Sequence, residues 1–250
     1  MPCKVCDNPK TVRCHLMPAA LFKDNMKGEK HLFVGTSSKN GIKYSQSGMF
    51  DPNLLCYEHE HSLQDCDDYA VRWIRKFKTK ARPSKKFKNL VYLFPNPYPD
   101  LLLKFVCSVV WRCAVSPIAS TDLTRLGPYE LVLRDFLFSG KEYDPTFYVC
   151  KRSLTVNNVA MNPPMIMSPA KMRVEGILVW EFELGGLLWV LKLDPRRIAG
   201  LADLAVANNK NPVLVPDFGT LPAHERSSVT GIITNMKAQA STKVDTYPVL

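Results

Sequence analysis

Asn53-Leu54-Leu55-Cys56-Tyr57-Glu58-His59-Glu60 decides how the first quarter of this 250-residue chain folds, because it sets Cys56 and His59 two residues apart, as Cys3 and Cys6 are in Cys3-Lys4-Val5-Cys6. A two-residue gap lets one turn of backbone aim both side chains at a single ion. Three thiolates and an imidazole make a complete tetrahedral set suited to Zn²⁺, and four protein ligands leave no open position, so the expected ion is structural. The alternative is two unrelated pairs lying in loops. Residues 1–61, which contain both pairs, are loop-rich and weakly periodic, yet they hold four of the five histidines and four of the eight cysteines. Side chains alone cannot build a core there, and a metal can take the place of one.

Working outward, the pattern becomes helical. Ala70, Trp73, Ile74, Phe77 and Ala81 recur at steps of three and four, while Arg72, Arg75, Lys76 and Lys80 recur on the opposite side. One helix with an apolar and a basic face is predicted, stopped by Pro83. Arg82 to Lys88 reads as a basic linker leading to the Pro-Asn-Pro-Tyr-Pro turn at 95–99. Asp100 is placed to cap a second helix running to about Ser116, and a third is expected from Tyr129 to Phe138, ending at Ser139-Gly140. Beyond it the period changes to two. A turn at Gly185-Gly186 would pair Leu184 with Leu187, Phe182 with Trp189 and Trp180 with Leu191 on one apolar face, leaving Glu181, Glu183 and Lys192 on the other. A short helix is expected from Arg197 to Asn208. The fold class is therefore α+β. Residues 1–82 are read as a zinc module with its basic helix, and 83–250 as a helix-plus-antiparallel-sheet domain of unassigned role.

Composition narrows the function classes. The longest apolar run, Leu101 to Val115, is interrupted by Lys104 and Arg112 and is short for a bilayer, so no membrane partner is expected. The opening residues contain no apolar stretch resembling a secretory signal, which points to a reducing cytoplasm where cysteines act as thiols or metal ligands. Cys66, Cys107, Cys113 and Cys150 fall in helical or strand patterns and are expected to pack as small hydrophobes. The formal charge is +10. Nine basic residues, from Arg72 to Lys88, occupy positions 72–88 without one acidic residue, and a polyanion is the natural partner of such a run. A solvated helix face is the bland alternative.

Arg13-Cys14-His15-Leu16-Met17-Pro18 lies between the two half-sites. Together, the Cys-x-x-Cys pair, the His-aliphatic-x-Pro turn and the Asn-x-x-Cys-x-x-His segment entering a helix resemble the HNH nuclease family, whose ββα-metal fold sits on a zinc-binding treble clef. The resemblance covers about the first 60 residues. It implies His15 as the general base that deprotonates water, Asn53 as the residue that orients it, and Glu60 as a ligand of a catalytic Mg²⁺ or Mn²⁺. Cys14 stands where the family often has Asp, Glu or His, and the His15-to-Asn53 interval is longer than a minimal hairpin needs, as if a loop had been added. His61, Asp51 and Asp65 are further candidates for the catalytic ion.

Two functions follow from these residues. The first is an HNH-like, metal-dependent endonuclease that hydrolyses phosphodiesters, with DNA preferred over RNA. The second is a non-catalytic zinc-dependent nucleic-acid-binding protein in which Arg72, Arg75, Lys76 and Lys80 supply the affinity. The resemblance also implies a setting in restriction, phage defence or mobile elements, with a homodimer or a defence-system protein as partner.

Overall fold

The computed structural model describes residues 2–26, 32–35, 42–45, 48–87, 89, 91–151, 154–156, 159–161, 166–198 and 212–217. After the Cys3–Cys6 turn, β1 (Val12–His15) runs into Pro18, where α1 (Ala19–Met26) starts. Next come β2 (Leu32–Gly35) and β3 (Ile42–Ser45). β4 (Phe50–Leu55) then returns to pair antiparallel with β1, setting Cys14 opposite Asp51 and His15 opposite Phe50. The stretch expected to be an added loop thus carries a helix and two strands. Cys56 opens α2 (Tyr57–His61), and after Ser62-Leu63 the chain enters α3 (Gln64–Lys80).

α3 starts six residues before Ala70 because its first turn holds Asp65 and Asp67, which suit the positive end of the helix dipole. Its apolar face is buried as expected, through Cys66, Ala70, Trp73, Ile74 and Phe77, while Arg72, Arg75, Lys76 and Lys80 are exposed. Pro83 ends it and makes an isolated bridge to Tyr92 in β5 (Val91–Phe94). α4 (Pro99–Val115) follows. Its N-cap is Tyr98, and Pro99 takes the first helical position, where a missing N–H costs nothing. Asp100 therefore sits inside the first turn and does not cap the helix. α5 (Tyr129–Phe138) has the expected bounds, and Gly140 just beyond it has φ +66°.

Then come β6 (Thr146–Lys151), β7 (Leu154–Val156), β8 (Val159–Met161), β9 (Met167–Val174), β10 (Ile177–Leu184), β11 (Leu187–Lys192) and β12 (Val213–Pro216). The main sheet has the order β3-β2-β9-β10-β11-β6, and β1-β4, β12-β5 and β7-β8 form two-stranded pairs. All of these pairs are antiparallel except β2-β9, which meet in parallel at Gly35 and Met167. The β10-β11 hairpin has the expected register, with Leu184 opposite Leu187, Phe182 opposite Trp189 and Trp180 opposite Leu191. Trp189 is the centre of its apolar face. Its ring lies 5.8 Å from Phe105 of α4, 6.0 Å from Trp73 of α3 and 6.2 Å from Phe147 of β6.

One expectation about the hairpin changes. Glu183 and Lys192, read as the solvent face of the hairpin, are only 4% and 6% exposed, so this sheet is covered on both sides. Buried residues on both sides of position 83 belong to one continuous core, because α3 packs on α4 and Ile74 reaches the Gly185 turn. The helix expected from Arg197 to Asn208 lies, apart from its first two residues, outside the described residues. No helix among the described residues is long and apolar enough to cross a membrane.

The hairpin turn needs its glycines. Gly185 and Gly186 have φ of +67° and +72°, the left-handed conformation a two-residue type I′ turn demands, and a Cβ at Gly185 would lie 2.6 Å from Ile74 Cγ2. Gly185→Ala should lower unfolding stability in urea by about 1–3 kcal/mol through overpacking added to strain. Gly176→Ala, at φ +77° but in open space, should show only the smaller strain cost.

Candidate metal centre and adjoining cleft

The four expected ligands meet. Cys3 and Cys6 are brought to β4 by Lys4, whose backbone N–H donates to the Leu54 carbonyl at 2.9 Å, and Cys56 and His59 face them from the first turn of α2. The donor atoms of Cys3, Cys6, Cys56 and His59 all lie within 4.8 Å of one another. His59 Nδ1 is 3.1 Å from Cys56 Sγ and 3.6 Å from both Cys3 Sγ and Cys6 Sγ, and Cys6 Sγ is 3.9 Å from Cys56 Sγ. A tetrahedral Zn²⁺ with bonds of about 2.3 Å to sulfur and about 2.0–2.1 Å to nitrogen needs S···S edges of roughly 3.8 Å and S···N edges of roughly 3.5 Å. The group can therefore hold a metal ion such as zinc. Burial works against ionising Cys3, but backbone N–H groups of Cys56, Val5 and Cys6 outweigh it and hold this thiol below its usual range. Burial pushes Cys56 up to about 11, a penalty that a bound cation would offset. Phe138 at the end of α5 covers the ligand histidine edge-on, with ring centroids 5.3 Å apart.

Beside this cluster is a cleft of about 310 Å³ lined by His15, Pro18, Tyr57, Glu60, His61, Gln64, Asp67 and Asp68, among others. Its floor is fixed from α4. Arg112 has no exposed surface, and its Nη1 donates to the His15 carbonyl at 2.9 Å and to Asp67 Oδ2 at 2.9 Å. Its Nη2 donates to Asp67 Oδ1 at 2.8 Å and to Ser108 Oγ at 3.1 Å. Burial penalises the guanidinium charge, and the Asp67 carboxylate more than offsets it, so Arg112 stays ionised. Two more contacts tie α4 to the module. Lys104 Nζ donates to the Ser62 carbonyl, and Ser116 Oγ donates to Asp51 Oδ2 at 2.7 Å.

His15 ends β1 half-buried in this cleft. Burial, then the charges of Arg13 and Arg112, hold its imidazole below the ordinary value of 6.5, so the neutral, proton-accepting form dominates at pH 7. Glu60 faces the same space. Burial raises its carboxyl, while the Cys14 thiol, the Arg112 charge and the His15 backbone N–H favour the ionised form. One carboxyl oxygen, Oε2, is buried without a hydrogen-bond partner. Cys14 itself is fully buried and kept protonated, its thiol donates to the His15 carbonyl at 3.8 Å, and it does not line the cleft.

The other candidates separate. Asn53 is exposed on β4 and does not line the cleft, and the polar residue joining the hairpin to the helices is Asp51, which also accepts the Asn53 backbone N–H at 2.8 Å. Asp65 is exposed outside the lining, whereas His61 is part of it, with its ring stacked on Tyr57. Of the basic face, Arg75 pairs with Asp24 of α1 through bonds of 2.7 and 2.9 Å. Residue types alone did not single out Arg112, Asp67 or Tyr57. For Arg112 a signal existed, since a cation inside the apolar run of α4 must find a partner when the helix is buried.

Metal analysis should find about one zinc per chain, and its removal by a chelator should unfold residues 1–60 before the helical remainder. Cys56→Ala should abolish stoichiometric zinc, whereas Cys113→Ala, at a buried thiol in α4, should retain it.

No protein-family model, curated protein or solved structure matches the chain, so the cleft is interpreted from its own chemistry.

Proposed function

We propose that this protein is an HNH-like, metal-dependent phosphodiester hydrolase acting on nucleic acid, built on a treble-clef zinc module. The observation that carries this reading is the meeting of His15 and Glu60 in one cleft beside the four-ligand cluster, with Glu60 Oε2 buried and unpartnered. A buried carboxylate oxygen without a donor is costly unless something else satisfies it, and a hard divalent cation is the partner that oxygen favours. Mg²⁺ or Mn²⁺ held at Glu60, with Asp68 in reach of the same space, would polarise a phosphoryl oxygen and stabilise the leaving oxygen. His15, already neutral, accepts the proton of the attacking water. Arg112 fixes the backbone that carries His15, and the exposed Arg72, Lys76 and Lys80 attract the phosphate backbone.

A second reading, a zinc-dependent nucleic-acid-binding protein without catalysis, is favoured by the same Arg112. Its buried positive charge acts on Glu60 and opposes a divalent cation there.

Cutting of DNA or RNA with Mn²⁺ separates the two. His15→Ala should reduce it roughly 10²- to 10⁴-fold with zinc content unchanged. The acid limb of the wild-type pH profile should lie below 6.5, the ordinary value of this imidazole. Glu60→Gln should remove any Mn²⁺-dependent rise in melting temperature, an effect that mass action requires if Glu60 ligates the ion.

Affinity should fall with salt, with a log–log slope of about −0.9 per neutralised phosphate on duplex DNA and about −0.7 on a single strand. Replacing Arg72, Lys76 and Lys80 together with Gln should weaken binding for every sequence and make that slope shallower. Arg75→Gln should change it less, because Asp24 already neutralises that guanidinium. Unchanged slopes would mark the basic face as solvation only.

A further inference from the structure

Tyr57 is the first residue of α2 and 67% exposed, directly after the metal-ligand cysteine. An exposed tyrosine on the first turn of a short helix gains no burial on folding, and its ring face stays available to a ligand. Its position is nevertheless defined. His61, one turn later, lies parallel to it, with centroids 5.6 Å apart and planes 6° from coplanar. The backbone beneath is set by Cys56 and His59, two of the four residues of the candidate metal cluster. Both rings line the cleft that holds His15 and Glu60. A second exposed ring adjoins the other imidazole of the cleft, that of His15. Phe50, 37% exposed, has its centroid 6.2 Å from that of His15, and the Arg13 guanidinium sits 3.8 Å over its face.

We propose that Tyr57, held by His61, is a stacking platform for one unpaired base, so that the ligand of this cleft is a single-stranded nucleic acid. This rests on the nucleic-acid reading above and gives it a substrate class. In a duplex the faces of the bases are stacked on each other and only their edges reach the grooves, so an exposed ring at a cleft has nothing to stack on. An unpaired base offers its whole face. Proteins that bind single strands combine such rings with a cationic track for the backbone. Here the exposed stripe of α3 leaves the cleft through Gln64 and Asp68, which carry no positive charge, and becomes a cationic track from Arg72 onward through Lys76 and Lys80. Charge and ring surface therefore lie on one continuous path.

Equilibrium binding tests this on the full-length, zinc-containing protein, with no Mg²⁺ or Mn²⁺ added so that the probes stay intact. The probes are fluorescently labelled oligothymidylate and a labelled duplex of equal length. The expected result is tighter binding of the single strand. Tyr57→Ala should weaken oligothymidylate binding roughly 5- to 150-fold, the usual effect of losing one stacked base, and leave duplex binding unchanged. Tyr57→Phe should restore it, because the face of the ring and not its hydroxyl makes the contact. Duplex preference in the wild type, unchanged oligothymidylate affinity in Tyr57→Ala, or a Phe variant as weak as the Ala variant would overturn the proposal. Cutting is measured separately: protein that stacks bases but never cuts would retain the platform and reject the nuclease.

Discussion

The pair between buried Arg112 and partly buried Asp67 holds the end of the chain that carries the candidate metal cluster against the rest. A guanidinium without solvent contact costs several kcal/mol unless its charge and donors are satisfied. Here Asp67 takes two donors, and the His15 carbonyl and Ser108 take the others. Removing one partner of such a pair typically costs roughly 3–5 kcal/mol, because the survivor is left charged and buried. These bonds tie α4 to α3 through Asp67 and to β1 through the His15 carbonyl, and so favour the register seen. That register places the carbonyl end of β1, and with it the His15 ring, at the cleft.

Around this clamp the N-terminal segment, expected to lack a core of its own, buries Leu16, Met17, Leu21, Phe22, Leu54 and Leu55 completely, and the four-ligand cluster adds to that apolar burial. α2 contains no buried residue, yet it supplies Cys56 and His59 to the cluster and Glu60 and Tyr57 to the cleft. A helix so short and so polar has little reason to form alone. Binding of an ion by the four ligands would fix its first turn, and the side chains pointing away from the ion would be fixed with it. The metal centre and the cleft are thus two sides of one helical turn. The unpartnered Glu60 oxygen is an unfavourable feature for a purely structural site, and active or binding sites are where such costs are commonly found.

The elements most readable from residues were those set by local chemistry. The glycine pair at 185–186 and the alternation on either side of it specify both turn and register, since a one-residue slip would turn every apolar side chain outward. The ends of α5 follow from Gly140, and the four-ligand cluster follows from two short spacings and ligand type. Inserted strands β2 and β3 were not apparent. Each is four residues long, and a strand that short is stabilised by its neighbours more than by its own pattern. The polar side of the hairpin was misread for a related reason: alternation shows which face is more apolar, but whether a second layer covers the other depends on distant chain.

By itself the sequence determined the ligand set, the amphipathic faces of α3 and the β10-β11 hairpin, because spacing and period act over a few residues. Only the tertiary structure decided that Arg112 braces His15, that Cys14 is buried behind the cleft, that Asn53 stays outside it and that the core runs through position 83. Each of these depends on contacts between residues far apart in the chain, such as Arg112 with His15 and Asp67, and no local pattern records which buried charge meets which partner.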